Sequence, residues 1–368
     1  MRREASRPIV IAAGGTGGHF FPAEALAAEL IERGERIVLL TDARSGALAS
    51  MVFAKTEKHV VAGAGLAGRS AKRAIQGMLA LARGTIEARA ILRGLKPGAI
   101  VAFGGYPSVP PILAAISVFG AKPLIILHEQ NAVLGRANRF LSRFADILAV
   151  NFPLTQRLPA RMQTIVVGNP VRPTISDLYG QGYIAPDKVV ELLVVGGSLG
   201  AKAFSSLVPE ALTKLPENFR VRLRVMQQCR AEDIEAVHQI YNNAGIQVEL
   251  SPFFKDVAAL LKRAHLIIAR AGASTVTEIA VAGRPAIFIP LPNSIDGHQR
   301  INADVLAEHG GAARLDQAGL TSEILAKEIE TFLMNPGYLV EMASASARMG
   351  EPNAAARLAD LIQERVNA

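Results

Sequence analysis

Two rhythms alternate along the chain. Short aliphatic and β-branched runs ("PIVIAA", "ERIVLLTD", "HVVAG", "AIVAFGG", "PLIILHEQ", "ADILAVN" and "TIVVGNP") are separated by longer Ala/Leu-rich stretches. The latter are "AEALAAELIERG", "AKRAIQGMLALARGTIEARAILRGL" and "VPPILAAISVFG". The short runs have the length and composition of strands, and the long ones have the spacing of amphipathic helices. That alternation predicts βαβ units around a parallel sheet covered on both faces. A Gly/Pro-rich segment, "GNPVRPTISDLYGQGYIAPDK", interrupts the rhythm near residues 168–188, after which it restarts. Strands are expected in "VVELLVVGG", "FRVRLRVMQQ", "IQVELSPF", "HLIIAR" and "PAIFIPLP". Helices are expected in "KAFSSLVPEALTKL", "AEDIEAVHQIYNNAG", "DVAALLKRA", "TVTEIAVAG", "EILAKEIETFLMN" and "EPNAAARLADLIQERV". The predicted architecture is α/β: two Rossmann-like domains, with parallel sheets facing across an interdomain cleft. At 368 residues the length also suits two domains.

Each half opens with a strand running into a glycine loop, "GGTGGH" at 14–19 and "GGSLGA" at 196–201. Such loops let the backbone approach a ligand, and the helix that follows directs its first amides at an anion. The first loop is not the dinucleotide fingerprint, because Phe20 stands where a small residue is required. Asp42 at the end of "RIVLLTD" could hold an adenosine ribose, but without the fingerprint that oxidoreductase reading is the weaker one. His19 changes the picture further. The start of a helix disfavours a cation, so an imidazole there is suited to accept a proton.

Other strand ends carry chemistry too. "FGGYPS" offers Gly104, Gly105 and Tyr106, and "HEQN" offers His128, Glu129, Gln130 and Asn131. Polar groups at such ends are more often functional than structural. Ser198 at the second loop is equally readable as a helix N-cap. Thr275-x-x-Glu278 has the form of a capping box, while Glu278 could also meet a ligand hydroxyl. "LPNSIDGHQRINA" gathers Asp296, His298, Gln299 and Asn302, a density of polar groups suited to a sugar.

Charge divides unevenly. Residues 1–168 hold 21 Lys+Arg against 10 Asp+Glu, whereas the remainder holds 19 against 22. An anionic partner for the first half is therefore expected. Aromatic content of 5% without tryptophan is poor equipment for stacking bases, which favours acidic lipid over nucleic acid. In "GRSAKRAIQGMLALARG", Lys72 and Arg73 flank Ile75 and Leu79. A basic rim around an apolar patch is what an interfacial segment needs, although a core-facing helix fits the same pattern. Arg136, Arg139 and Arg143 could extend that rim. No stretch reaches the ~18 uninterrupted apolar residues of a spanning helix, and the short apolar run after the basic N-terminus is expected to be a strand, not a signal peptide. Cys229 is the single cysteine, so a reducing compartment is expected. The scattered histidines and absent Cys-x-x-Cys suggest no metal site.

Taken together and in order, "GGTGGHFFPA", "FGGYPS", "HEQNAVLGRANRFL", "GNPVR", "GGSLGAKAF" and "RAGASTVTEIAVAGRPAIFIPLP" followed by "DGHQRINA" resemble the MurG family of bacterial glycosyltransferases, family 28. The resemblance spans essentially the whole chain. It implies a GT-B fold, with residues 1–168 taking a lipid-linked acceptor (lipid I), residues 169–348 binding UDP-N-acetylglucosamine (UDP-GlcNAc), and a final helix in 349–368 crossing back to the first domain. It implies an inverting transfer of N-acetylglucosamine that produces lipid II for peptidoglycan, at the cytoplasmic face of the inner membrane. The partners implied are UDP-GlcNAc, lipid I, anionic phospholipids and other cell-wall or division proteins, with no cofactor. By motif, Thr16, Gly17, Gly18 and Asn131 would contact the donor from the acceptor side, and Arg172 and Ser198 would meet the diphosphate. The backbone of Phe254 would line the uracil pocket. Ala273, Ser274, Thr275, Val276, Thr277 and Glu278 would surround the nucleotide, with Glu278 on the ribose, while Gln299 and Asn302 would hold the sugar. His19 would be the base, and Gly104, Gly105, Tyr106, His128 and Glu129 would serve the acceptor. Leu199 and Lys202 depart from the Gln and Arg common in the family. A glycolipid glycosyltransferase or a UDP-GlcNAc epimerase of the same fold is the nearest alternative.

Overall fold

A computed structural model describes residues 7–43, 50–62, 71–118, 122–197 and 201–367, with the backbone alone for 71–74. The chain forms two units, one of Met1–Arg172 with Asn353–Ala368 and one of Pro173–Pro352. In the first unit the strands are β1 (Ile9–Ala12), β2 (Ile37–Thr41), β3 (Glu57–Val60), β4 (Ala99–Ala102), β5 (Leu124–Glu129), β6 (Ile147–Val150) and β7 (Thr164–Val166). They pair in parallel in the order β3-β2-β1-β4-β5-β6-β7. Its helices are α1 (Gly17–Glu32), α2 (Ala71–Leu95), α3 (Val109–Ile116) and α4 (Arg136–Leu141).

The second unit repeats the plan. Strands β8 (Val190–Val195), β9 (Leu223–Gln228), β10 (Gln247–Ser251), β11 (Leu266–Ala269), β12 (Ala286–Phe288) and β13 (Ala312–Arg314) run parallel in the order β10-β9-β8-β11-β12-β13. Helices α5 (Pro173–Ser176), α6 (Lys202–Thr213), α7 (Glu217–Arg220), α8 (Ile234–Asn243), α9 (Val257–Arg263), α10 (Ala273–Ala282), α11 (His298–Ala307), α12 (Ser322–Met334) and α13 (Pro336–Arg348) surround them. Helix α14 (Ala354–Asn367) belongs to the first unit.

Strand alternation explains the two-sided cover. Ile9 and Ile11 of β1 pack with Leu26 and Leu30 of α1 and with Leu358 and Ile362 of α14. Their neighbours Val10 and Ala12 pack on the other face with Leu92 of α2 and Ile112 of α3. Helix α14 is also tied to α1 through Arg33, which reaches the Asp360 carboxylate at 2.5 Å and Gln363 at 2.9 Å. Exposed ion pairs contribute little, so the apolar face of α14 does most of the holding.

Helices α4, α5 and α7 answer to no expected run, α7 taking the first residues of the stretch read as a strand in "FRVRLRVMQQ", and three further elements depart from the sequence pattern. Helix α1 begins at Gly17, six residues before the Ala/Leu-rich run, so His19 lies in its first turn and Pro22 inside it. Strand β13 is only "AAR", without a β-branched residue to announce it. Helix α13 opens with Pro-Gly and is rich in small residues, yet it buries Leu339, Met342, Ala343, Ala345 and Ser346. No described helix is long and apolar enough to cross a membrane.

Candidate active site

In each sheet the strand order reverses beside the first strand, between β1 and β4 and between β8 and β11. Ligands of open α/β sheets bind beyond the carboxyl ends of the strands at such points. In the first unit this edge gathers the loops after β1, β4 and β5. Gly15 adopts φ +87° and donates its N–H to Asp42 Oδ1 at 3.3 Å, so the carboxylate considered for a ribose instead braces the glycine turn. Thr16 is the N-cap of α1, exposed, with no side-chain cap bond. Phe20, which breaks the dinucleotide fingerprint, is buried edge-to-face against Phe53.

His19 is half-buried, and its Nδ1 lies 2.9 Å from Gln130 Oε1. The loop after β4 closes on the ring from another side. Gly105 has φ +70°, and a Cβ placed there would sit 3.4–3.5 Å from the imidazole. That position needs glycine for its backbone and is cramped for anything larger. Tyr106 beside it is exposed.

His128 and Glu129 correct the expectation that they serve the acceptor. Both are buried, at 0% and 2% exposure, and their bonds run into the domain. His128 Nε2 donates to the Gly168 carbonyl at 2.9 Å. Burial drives its pKa down from 6.5 to about 4, aided by the nearby His19, although the Gly168 bond opposes the shift. Glu129 accepts from the Asn131 backbone and side-chain nitrogens, from Gly135 N–H and from Asn138 Nδ2, and so ties down the loop after β5. Arg172, from "GNPVR", lays its guanidinium over Phe21 of α1 at 5.2 Å.

In the second unit, α10 starts at the end of β11 with Gly272, not Thr275, as its N-cap. The expected capping box is therefore not formed, and Thr275 sits inside the first turn. First-turn amides have no acceptor within their helix, so Ala273, Ser274 and Thr275 turn donors toward this edge. Ser274, Thr275 and Glu278 are half-buried, but Val276 and Thr277 are buried, and Thr277 bonds back to the Ala273 carbonyl at 2.9 Å. The side chains of those two residues are thus packed within the unit. Asn302 is also fully buried and donates to the Ala271 carbonyl at 3.1 Å, bracing the β11–α10 turn where a sugar contact was expected. Gln299 is half-buried and accepts from Leu291 N–H at 2.9 Å. Arg270 is buried over Phe204 and donates to the Ile289 and Pro290 carbonyls, fixing the loop after β12. Phe254 is half-buried beyond β10.

Ser198 lies outside the described residues; α6 begins only at Lys202, with Ala201 as N-cap. The Lys72 and Arg73 side chains also lie outside them. Ile75 and Leu79 of α2 are 53% and 66% exposed, and Met78 and Ile86 are exposed as well, so that face does not pack into the core. Among the described residues no group of three or more His, Cys, Asp or Glu is arranged to hold a metal ion.

Residues 9–150 match the glycosyltransferase family 28 N-terminal domain, and residues 191–358 match the glycosyltransferase family 28 C-terminal domain. The chain belongs to glycosyltransferase family 28. Family-28 relatives match from end to end. The UDP-N-acetylglucosamine--N-acetylmuramyl-(pentapeptide) pyrophosphoryl-undecaprenol N-acetylglucosamine transferase of Granulibacter bethesdensis is 54% identical, over 100% of this chain and 96% of its own. The enzyme of the same name from Acidiphilium cryptum is 56% identical, over 98% of each. The crystal structure of Acinetobacter baumannii MurG superposes with a TM-score of 0.76 at 34% identity, covering 97% of this chain and 99% of that one. The two parallel-sheet, Rossmann-like units are accordingly those of a GT-B glycosyltransferase.

Two residues matter here in ways their type did not convey. Gln130 was visible only as one of several polar residues at a strand end, and Asp42 suggested a ribose. Their roles depend on which atoms face which, and residue type alone does not carry that information.

Proposed function

We propose that this chain transfers N-acetylglucosamine from UDP-GlcNAc to the 4-hydroxyl of the muramyl sugar of undecaprenyl-pyrophosphoryl-MurNAc-pentapeptide, yielding lipid II with inversion. The observation that carries this reading is the likeness, at 54 and 56% identity along whole chains, to enzymes bearing the name of that reaction. The chemistry at the carboxyl edges of the two sheets supports it.

In the proposed step the acceptor oxygen attacks the anomeric carbon as the bond to UDP breaks, through an oxocarbenium-like state. His19 Nε2 takes the hydroxyl proton. The electron pair leaves with the diphosphate, whose charge is met by first-turn amides, Arg172 and the glycine loop including Ser198. Thr16, Gly17, Gly18 and Asn131 contact the donor, and Gly104, Gly105 and Tyr106 border the acceptor. Glu278 takes the ribose hydroxyls, the amides of Ala273–Thr275 and the backbone of Phe254 hold the nucleotide, and Gln299 meets the sugar. The exposed Ile75 and Leu79 of α2, with the basic residues around them, dock the enzyme on anionic phospholipid at the inner face of the cell membrane, where its acceptor resides.

Purified protein with radiolabelled UDP-GlcNAc and undecaprenyl-linked muramyl-pentapeptide should form a labelled disaccharide lipid. Conversion of UDP-GlcNAc without any lipid present would instead establish an epimerase.

A further inference from the structure

We propose that Gln130 and His128 are positioning residues that lock His19 in the Nδ1–H tautomer, so that Nε2 always presents its lone pair. The inference rests on the proposed role of His19 as base. Gln130 is buried at the end of β5, and its amide nitrogen lies 3.1 Å from the Phe103 carbonyl and 3.2 Å from the His128 carbonyl. Both oxygens only accept, so the nitrogen must occupy that side and Oε1 must face His19. An amide oxygen only accepts as well, so His19 Nδ1, 2.9 Å away, must carry hydrogen. Which ring nitrogen of a histidine is protonated follows from the bond the other one makes.

His128 secures the amide from behind. Its Nε2 faces the Gly168 carbonyl and therefore bears hydrogen, which leaves Nδ1 to accept from Gln130 Nε2 at 2.9 Å. Burial keeps the His128 ring neutral through the physiological range, so that acceptor persists. The chain of donors thus runs one way, from His19 to Gln130, from Gln130 to His128, and from His128 to Gly168. When His19 gains a proton at Nε2, its Nδ1–H bond to Gln130 is retained and strengthened by charge, and no group has to turn.

The test uses full-length protein labelled with 15N-histidine, with the His19 signals assigned by their loss in His19→Ala. A pyrrole-type shift at Nδ1 and a pyridine-type shift at Nε2 are expected. The reverse tautomer, or the averaged shifts of a free imidazole, would overturn the proposal. In Gln130→Met, similar in length but without the amide, the preference should vanish and kcat should fall roughly tenfold or more, with both KM values within about twofold. Equal kcat in Gln130→Met and wild type would also sink the inference. Should Gln130→Met fail to fold, the wild-type spectrum decides alone. Wild-type turnover in His19→Ala would refute the base while leaving the tautomer measurement intact, so the two failures are distinguishable.

Discussion

The two units share a parallel strand order about their first strand, β7 apart, yet they use the carboxyl edges of their sheets differently. In the first, buried polar side chains stand behind the groups at the edge: Gln130 and His128 behind the half-buried His19 ring, Asp42 behind Gly15, Glu129 behind Asn131. In the second, Asn302 and Arg270 brace backbone turns, and the half-buried Ser274, Thr275 and Glu278 border the start of a helix. On the proposed reading, one sheet is finished for moving a proton and the other for holding a charged ligand. The strand order, common to both, sets where a ligand goes, while the hydrogen bonds beneath the edge set what happens to it.

Replacing His19 tests the contrast most severely. His19→Ala should lower turnover at least tenfold and by up to about 10²–10⁴-fold, while calorimetric UDP affinity stays at wild type. If affinity fell and turnover did not, the division of labour between units would be reversed.

The buried imidazole of the first unit should also show itself in stability. His128 is neutral in the fold with a pKa near 4 and returns to 6.5 on unfolding. Its folded pKa is depressed, so the folded state binds fewer protons between those values. The contribution is complete above pH 6.5 and is lost as pH falls toward 4. That loss amounts to on the order of 3 kcal/mol. Denaturant melts across pH 4–7 should show a component of that size that disappears in His128→Gln. A pH response unchanged by the substitution would remove His128 as its source.

On the second unit, Glu278→Ala should weaken UDP binding about 10- to 100-fold, the worth of charge-assisted hydrogen bonds to ribose. The residual turnover at saturating donor should stay near wild type. The smallest effect concerns α2. Ile75→Ser with Leu79→Ser should reduce cosedimentation with phosphatidylglycerol vesicles on the order of tenfold. Both side chains are exposed, so stability should move by less than about 0.5 kcal/mol. Unaltered vesicle binding would assign the apolar face of α2 to something other than lipid.

Most of the architecture was legible because aliphatic runs and Ala/Leu-rich helices differ in period. The parts that escaped are instructive. Strand β13 has three residues and no β-branched side chain, so pairing with β12 alone makes it a strand. Helix α13 hides behind Pro336, Gly337 and a run of small residues, and is held by packing more than by propensity. Thr275 and Glu278 had the spacing of a capping box, but spacing cannot tell whether the helix has already begun, and Gly272 starts it earlier. At the site, glycine loops and His19 stood out as residue types in unusual places. His128 and Asn302 look equally chemical in a string of letters, and only their burial shows that they work through other groups.

Helix α14 has a consequence for biogenesis. Leu358 and Ile362 complete the same hydrophobic layer as Ile9 and Ile11, more than 340 positions upstream. During synthesis the second unit can therefore close while its sibling, begun first, still waits on the ribosome with one flank bare. A stop codon ahead of α14 would therefore uncover the layer beside β1 and α1, damaging the opposite end of the polypeptide.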